Sequence, residues 1–487
     1  MSATSASESS PCLRPIVIFG VISCFTCPWL SPAVYDGLAL QYHRPTAVYH
    51  ENAPSYPDYA SARLKDYGRP ATHMTGRDGS DWHPTAFRTH TLGEVATHGA
   101  QMIGHEVTVC GFAESVRGRG AICFLKLRDG TGYLQAFLKK DNMDEATFTE
   151  IQSANRESTI QVIGAVAQKR PPKVKEGEPE PEPEYEIQVS DATILAPAEA
   201  PMPMGVTDKV HVELDTRLDN RHIDLRRSHV NAMFQLRSKV LEYGRAHLIR
   251  EGFQEMNSPK IIAAAAEGGT NLFPLQYFDT EAFLSKQLAV LGGLERVFEV
   301  GPAFRAEKHD TYRHLNEFIS FDIEMAWAND DDCMDVQERM IHYVWSEIAA
   351  NDQHLIDMIN EWRAEQEPSL PPVTVEVPEL PFPRVEYTEA IEIIKAAGGK
   401  IEWGDDIEAH HADLLAAEYP GFYFLPRWPM SMKPFYIYHD KEETAADGGQ
   451  LSRGFDLNYG RDEMCSGGQR EHRADILTQN LRDMDLE

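Results

Sequence analysis

The chain has 487 residues, with 46 Lys and Arg against 76 Asp and Glu, a formal net charge of −30. At roughly 150 residues per domain this length predicts two or three domains, and 42% hydrophobic residues are enough for real cores, which excludes a wholly disordered chain. The acidic excess argues against a general nucleic-acid coat but leaves room for one local basic face. Seven scattered cysteines, an odd number, do not look like a secreted disulfide framework and fit a reducing, cytoplasmic setting.

Residues 1–85 read as a poorly patterned N-terminal extension, Ser-rich and then rich in Pro, Tyr, His and Gly. The longest apolar run, from Ile16 to Leu30, falls short of the ~18 residues of a membrane span and contains Pro28, so no membrane association is expected. Cys24 and Cys27 form a single CxxC with no second pair at zinc-site spacing, and the segment reads as an apolar leader.

Short alternating segments then follow one another: 105–112, 121–127, 132–137, 159–164 and 185–189, with Arg128-Asp129-Gly130 as a hairpin turn. Five strands at this spacing predict a small closed barrel, the count of the OB-fold, a common oligonucleotide binder. Basic residues gather here against the trend of the chain: Arg117, Arg119, Lys169, Arg170, Lys173 and Lys175. Phe124 reads equally as a core residue and as a platform for base stacking. The barrel is assigned to 86–194, a proline-spaced linker to 195–214, and a second domain to 215–487.

In that second domain Phe234, Leu241 and Leu248 recur every seventh position, predicting an amphipathic helix over 228–251. Strands are expected at 296–300, 317–325, 422–425, 435–438 and 454–459, and helices at 335–364 and 388–397. The class is α+β with antiparallel strands. No Walker A or GxGxxG sequence occurs, which argues against P-loop and Rossmann nucleotide sites.

Two stretches concentrate chemistry. In FRAEKHDTYRHLNEF (304–318) Arg305 and Glu307 share a strand face, where a guanidinium can hold a phosphate while a carboxylate accepts from an exocyclic amine. An ordinary exposed hairpin with ion pairs explains the same residues equally well. In SRGFDLNYGRDEMCSGGQR (452–470) Asp456 and Glu463 flank a turn, and Glu463 with Ser466 offers oxygen ligands to Mg²⁺. Arg470, just past an expected Ser-Gly-Gly turn, carries a planar fork suited to a carboxylate.

With SPKIIAAAAEGGTNLFPLQYFDTEAF (258–283), FISFDIEMAW (318–327) and EMCSGGQREH (463–472), these stretches closely resemble aspartyl-tRNA synthetases of the archaeal/eukaryotic type, members of the class II aminoacyl-tRNA synthetases. The resemblance spans about residues 88–487 and implies an OB-fold anticodon-binding barrel followed by a class II antiparallel sheet with flanking helices. It implies that Arg305 binds the ATP α-phosphate, Glu307 reads the adenine amine and Phe318 stacks on the adenine. Glu463 and Ser466 would carry Mg²⁺ with Asp456 beside them, and Glu267, Lys286, Asp322, Ser466 and Arg470 would surround L-aspartate. Phe124, Gln135 and Glu186 match positions that meet anticodon bases, and Pro259 lies in the stretch that forms the family's homodimer interface. The tRNA partner would be the aspartate isoacceptor, with the asparagine isoacceptor a further candidate.

Two departures accompany the resemblance. Ala282-Phe-Leu-Ser285 runs directly into Lys286, with nothing matching the family's QSPQLY between that serine and lysine. Nothing in the chain matches motif 3, the GxGxxR-like strand and helix that the family places in the middle of its sheet, so an exposed central edge and an incomplete catalytic domain are expected. These departures favour a non-catalytic tRNA-binding or regulatory relative as one alternative; an asparagine-forming paralogue is another, and the intact barrel argues against it because such an enzyme needs no anticodon reader. Arg305, Glu307, Glu463 and Arg470, all present, favour the aspartate–tRNA ligase.

Overall fold

The computed structural model describes residues 85–171, 182–206, 211–258, 290–304, 315–366, 368–444 and 449–483, together with the strand 18–24; for 18–24, Leu291 and 441–444 it describes the backbone alone. The strands in chain order are β1 (Ile18–Cys24), β2 (Glu106–Arg119), β3 (Ile122–Arg128), β4 (Tyr133–Lys139), β5 (Thr159–Gln168) and β6 (Tyr185–Ala196). They continue as β7 (Gln254–Glu255), β8 (Arg296–Phe304), β9 (Glu317–Ala326), β10 (Phe422–Pro426), β11 (His439–Thr444), β12 (Gln450–Ser452), β13 (Gly454–Tyr459) and β14 (Asp462–Gln469). The chain divides into two compact units, residues 42–212 and residues 1–41 with 213–487.

In the first unit β2-β3-β4-β6-β5 close into a barrel, as the alternation predicts. Val107, Val109, Leu125, Leu127, Leu134, Leu138, Ile160 and Val162 point inward and are buried. Period-2 burial along each strand is the physical cause of closure, because every inward side chain finds a partner across a narrow interior. The turn after β3 is built by Asp129, whose Oδ1 accepts from the backbone N–H groups of Thr131 (2.8 Å) and Gly132 (3.1 Å). A helix over Leu92–Met102 packs on this core, and its start is a capping box. Thr91 Oγ1 accepts from Glu94 N–H at 3.1 Å, and Glu94 Oε2 accepts from Thr91 N–H at 2.8 Å. The TLGE sequence carries that signature, and the expected strands passed over it.

The second unit is a seven-stranded sheet in the order β10-β13-β14-β1-β9-β8-β7, antiparallel except for the β7–β8 pair. Helices over Ser228–Arg250, Asp330–Asn351 and Gln353–Gln366 share its core, in which Phe298, Phe321, Ile323, Phe424 and Phe455 from the sheet meet Leu248, Met340, Val344 and Ile356 from the helices.

Several expectations are corrected here. The buried stripe of the 228–250 helix runs through Met233, Leu236, Tyr243 and Leu248, while Phe234 and Leu241 flank it. A strict sevenfold spacing drifts off a 3.6-residue period, and the real stripe follows the period. The single helix expected over 335–364 is two, divided at Asp352, whose carboxylate accepts from Tyr243 Oη at 2.6 Å. Phe435–Tyr438 is a turn with one bridge, Ile437 to Arg470, and the strand begins at His439.

The Ser466-Gly467-Gly468 segment is not a turn but the interior of β14. A Cβ on Gly467 would come within 2.6 Å of the Phe455 ring, and one on Gly468 within 2.8 Å of the Arg453 carbonyl. These glycines therefore serve close strand packing, which is a different use of a missing side chain from the ligand approach expected of them.

The apolar stretch read as a leader contributes the central strand β1, paired with β14 on one side and β9 on the other. The open central edge expected from the absence of motif 3 is thus filled by residues 18–24. The poor patterning of the surrounding residues hid a strand whose seven residues, IFGVISC, include three β-branched ones.

Candidate functional site

Residues directly opposite one another in a sheet place their side chains on one face. In register, Asp456 faces Ser466, Ser466 faces Ile22, Ile22 faces Asp322, and Asp322 faces Glu299. One row across five strands therefore collects Asp456, Ser466 and Asp322, which lie far apart in sequence. Glu299 ends the row, buried, accepting from Ser258 N–H at 2.8 Å and Ser258 Oγ at 2.6 Å. Ser320, one residue pair along β9 on the same face, donates to Asp322 Oδ1 at 3.0 Å and fixes its carboxylate.

Asp456 is buried, and Lys433 Nζ lies 3.2 Å from each of its oxygens. Burial pushes the Asp456 carboxyl above its ordinary range while the Lys433 ammonium pulls the other way. Glu463 opposes Asn458 across the hairpin from β13 to β14, beyond a register shift, and is exposed. Gly460, at φ +56°, takes the left-handed position that this tight turn requires.

Arg470 follows β14, is buried, and lies with its guanidinium 4.1 Å from the centre of the Tyr436 ring. Its Nε is buried and finds no hydrogen-bond acceptor among the described residues. A desolvated donor of this kind suits an incoming carboxylate. Phe318 is the second residue of β9, half-buried and opposite Ala303. Arg305, Glu307, Glu267 and Lys286, and also Pro259, lie outside the described residues.

Residues not expected from sequence form a buried ion network in the same unit. Arg427 donates to Asp330 at 3.0 Å and Arg453 to Asp440 at 2.9 Å, with cross contacts of 3.5 Å from Arg427 to Asp440 and from Arg453 to Asp330. Asp330 and Asp440 are buried, and burial raises the Asp330 carboxyl in spite of the two guanidinium groups. Two cations stand against two anions in this buried network, and Asp330 Oδ1 has an ion-pair contact with Arg453 but no hydrogen bond among the described residues. The partners are spread over positions 330 to 453, a separation that no local pattern signals. Among the described residues no cluster of three or more His, Cys, Asp or Glu comes together as a metal site.

On the barrel, Arg117, Phe124, Phe137 and Gln188 stand side by side across β2, β3, β4 and β6. Phe124 is 41% exposed, so it is a surface residue and not part of the barrel core. Its ring centre lies 5.2 Å from that of Phe137. In the next row Gln135 donates to Glu186 Oε2 at 2.6 Å, and Gln188 donates to Glu186 Oε1 at 2.7 Å. Glu186 is largely buried and oriented by both amides, beside the exposed Phe124 and Arg117. Lys169 pairs with Glu184, and Lys173 and Lys175 lie outside the described residues.

A family model described as tRNA synthetases class II (D, K and N) matches residues 213–487, and one described as an OB-fold nucleic acid binding domain matches residues 107–195. Among curated proteins, the aspartate–tRNA(Asp/Asn) ligase of Archaeoglobus fulgidus is 40% identical over 395 residues, 80% of this chain and 85% of that protein. The protein of the same name from Methanococcus maripaludis is 37% identical over 415 residues, 84% of this chain and 87% of its own. Among solved structures, aspartyl tRNA synthetase from Entamoeba histolytica matches with a TM-score of 0.67 at 28% identity, over 81% of each chain. Asparaginyl-tRNA synthetase from Pyrococcus horikoshii, complexed with asparaginyl-adenylate, matches with a TM-score of 0.66 at 29% identity, over 80% of this chain and 85% of its own.

Proposed function

This chain belongs to the class II tRNA synthetases of the D, K and N group, and from that premise we propose that it is an aspartate–tRNA ligase. The observation that carries the reading is the row Asp456–Ser466–Ile22–Asp322, which brings acidic and hydroxyl groups from both ends of the domain onto one sheet face. The 40% identity to an aspartate–tRNA(Asp/Asn) ligase supports it.

In the proposed reaction an L-aspartate carboxylate oxygen attacks the ATP α-phosphorus. The bond to the bridging oxygen of the β-phosphate breaks, and pyrophosphate leaves. The terminal hydroxyl of tRNA then attacks the carbonyl carbon of aspartyl-adenylate, and AMP departs. Positioning and charge stabilisation carry both steps, so no side-chain nucleophile is required.

Arg470 receives the substrate side-chain carboxylate, and Asp322, held by Ser320, orients the amino group. Glu267 and Lys286 complete the aspartate pocket, while Arg305, Glu307 and Phe318 hold ATP. Glu463 and Ser466 are hard oxygen donors that fit Mg²⁺, an ion commonly bound by one or two carboxylates together with substrate phosphates. When bound it neutralises phosphate charge. Asp456, both of whose oxygens Lys433 already engages, supports the floor beneath them.

Residues 86–194 serve as the anticodon reader, with Phe124 stacking and Gln135 and Glu186 hydrogen-bonding to bases. Residues 195–214 link the barrel to the catalytic domain over 215–487, which works as a homodimer in the cytoplasm. The described cysteines Cys110, Cys123, Cys333 and Cys465 are free thiols, in keeping with a reducing compartment. Among the described residues no helix is long and apolar enough to cross a membrane.

Aspartate-dependent ATP–pyrophosphate exchange tests the reading, with asparagine and no amino acid as controls. Exchange with aspartate alone supports it. Exchange with asparagine points to the asparaginyl relative instead, and none with either sinks adenylation. Charging of aspartate and asparagine tRNAs decides the breadth of the tRNA partner.

A further inference from the structure

Among the described residues the sheet of the catalytic unit consists of two three-stranded pieces, β10-β13-β14 and β9-β8-β7, joined through β1. β1 pairs antiparallel with β14 from Phe19↔Gln469 to Ser23↔Cys465, and with β9 from Ile18↔Ala326 to Cys24↔Ser320. Without it, two rows of backbone N–H and C=O groups in the middle of the sheet would lack partners.

The two pieces also divide the candidate site. Glu463, Ser466 and Arg470 come from the β14 side, and Phe318 and Asp322 from the β9 side. Neighbouring strands lie about 4.8 Å apart, so one intervening strand sets Ser466 and Asp322 roughly 10 Å from each other. Ile22 is the register position opposite both. That span is a fixed length across which a small substrate is gripped from two sides.

We propose that residues 18–24 are a working part of the catalytic domain: this strand, supplied by the same chain, zips the two half-sites together and sets their separation, and Ile22, at the register position opposite both, is the positioning residue between them. The functional half of the proposal rests on the aspartate–tRNA ligase reading, whereas the placement of the strand is tested without any activity.

The register offers two crosslinks of opposite sides. Ser23→Cys puts a thiol opposite native Cys465, and Ser320→Cys puts one opposite native Cys24. Directly opposed strand positions fall within the Cα separation that a disulfide spans. Each variant is made in the full chain with Cys12 and Cys27 changed to Ser, and with Cys24 also changed to Ser in the first. Diamide serves as the oxidant, and peptide mapping locates the bonds. The expected result is a 23–465 link in one variant and a 24–320 link in the other, both within single chains. Failure of both, in protein with a native near-UV circular dichroism spectrum, overturns the placement. Links found only between chains overturn supply by the same chain.

Two further substitutions read the functional half. Val21→Pro removes a backbone donor from a central strand and is expected to lower kcat/KM for pyrophosphate exchange at least ~10-fold. Ile22→Ala keeps the strand and should raise KM for aspartate about fivefold or more, with KM for ATP changed less than about twofold. Equal changes in both constants would reduce Ile22 to scaffolding and sink its positioning role. Should the unaltered chain show no exchange, the ligase reading and Ile22's role in it fall, and the two crosslinks still decide whether β1 occupies the sheet.

Discussion

Lys433 Nζ sits equidistant from the two oxygens of Asp456, at 3.2 Å, and 4.4 Å from the centre of the Trp428 ring. The ammonium is thus shared between a buried carboxylate and an aromatic face on the floor of the site. Lys433→Met leaves that carboxylate uncompensated and should cost about 3–5 kcal/mol, the range for breaking one partner of a buried pair. The double change Lys433→Met with Asp456→Asn should recover much of the loss, as urea denaturation of the catalytic unit will show. In the single variant Asp456 ionises less readily. A carboxyl whose folded value is raised favours the folded state below its ordinary value and loses that contribution as pH climbs through the folded one. The defect of Lys433→Met should therefore be smaller in mild acid than at neutral pH.

His229 behaves in the opposite sense. It is buried, stacked on Trp362 with ring centres 4.4 Å apart, and burial together with Arg227 and Arg217 lowers its pKa from 6.5 to about 3. The unfolded chain takes up a proton below 6.5 that the folded chain refuses until about 3. Stability therefore falls as the pH is lowered across that window, by at most about 1.4 kcal/mol per pH unit from this group. His229→Phe should flatten the dependence between pH 6.5 and 5, measured by chemical denaturation at each pH. An unchanged slope would assign the acid sensitivity elsewhere.

Phe124 presents an exposed ring beside Phe137, with Arg117 opposite it on β2. Loss of one stacking platform costs about 1–3 kcal/mol per base. Phe124→Ala should accordingly raise KM for tRNA from several-fold to about a hundredfold while KM for ATP stays near its original value. A comparable rise in KM for ATP would mean that the change had damaged the protein rather than an anticodon contact.

Arg470 is tested by a substitution that keeps its charge. Its guanidinium rests on Tyr436, and its buried Nε has no acceptor among the described residues. Lysine supplies neither the flat stacking surface nor the fork. Arg470→Lys should raise KM for aspartate by roughly tenfold to a hundredfold in pyrophosphate exchange, about 1.4–2.8 kcal/mol of binding. Full activity in this variant would remove Arg470 from the aspartate pocket.

Much of this molecule was legible from local pattern. Alternation along 105–189 is written by the side chains themselves, and it appeared as the closed barrel. The hairpin between Asp456 and Glu463 was equally plain, because turn chemistry is local. What escaped was non-local. The break at Asp352 depends on a hydroxyl from Tyr243, more than a hundred positions earlier. The glycines of β14 resemble turn glycines until the Phe455 ring that needs the space is seen beside them. Lys433 carried no signal as the partner of Asp456, because only the folded sheet brings the two together. The strand 18–24 has ordinary β-propensity in unpromising surroundings, and its place is decided by partners about 300 and about 450 residues away.

That last separation governs when the domain can form. Phe19 pairs with Gln469, 450 positions later, among the longest-range contacts a chain of this size can make. At about 5–20 residues per second a ribosome takes roughly 20–90 s to deliver the second partner after the first. The barrel, complete by residue 212, can fold during that interval, while the strand 18–24 waits for its partners. Contacts of such order are slow to close and prone to intermolecular mispairing before they do. The centre of the sheet is thus the last part of the protein to be assembled, and its yield in cells should depend on how well that early segment is shielded during synthesis.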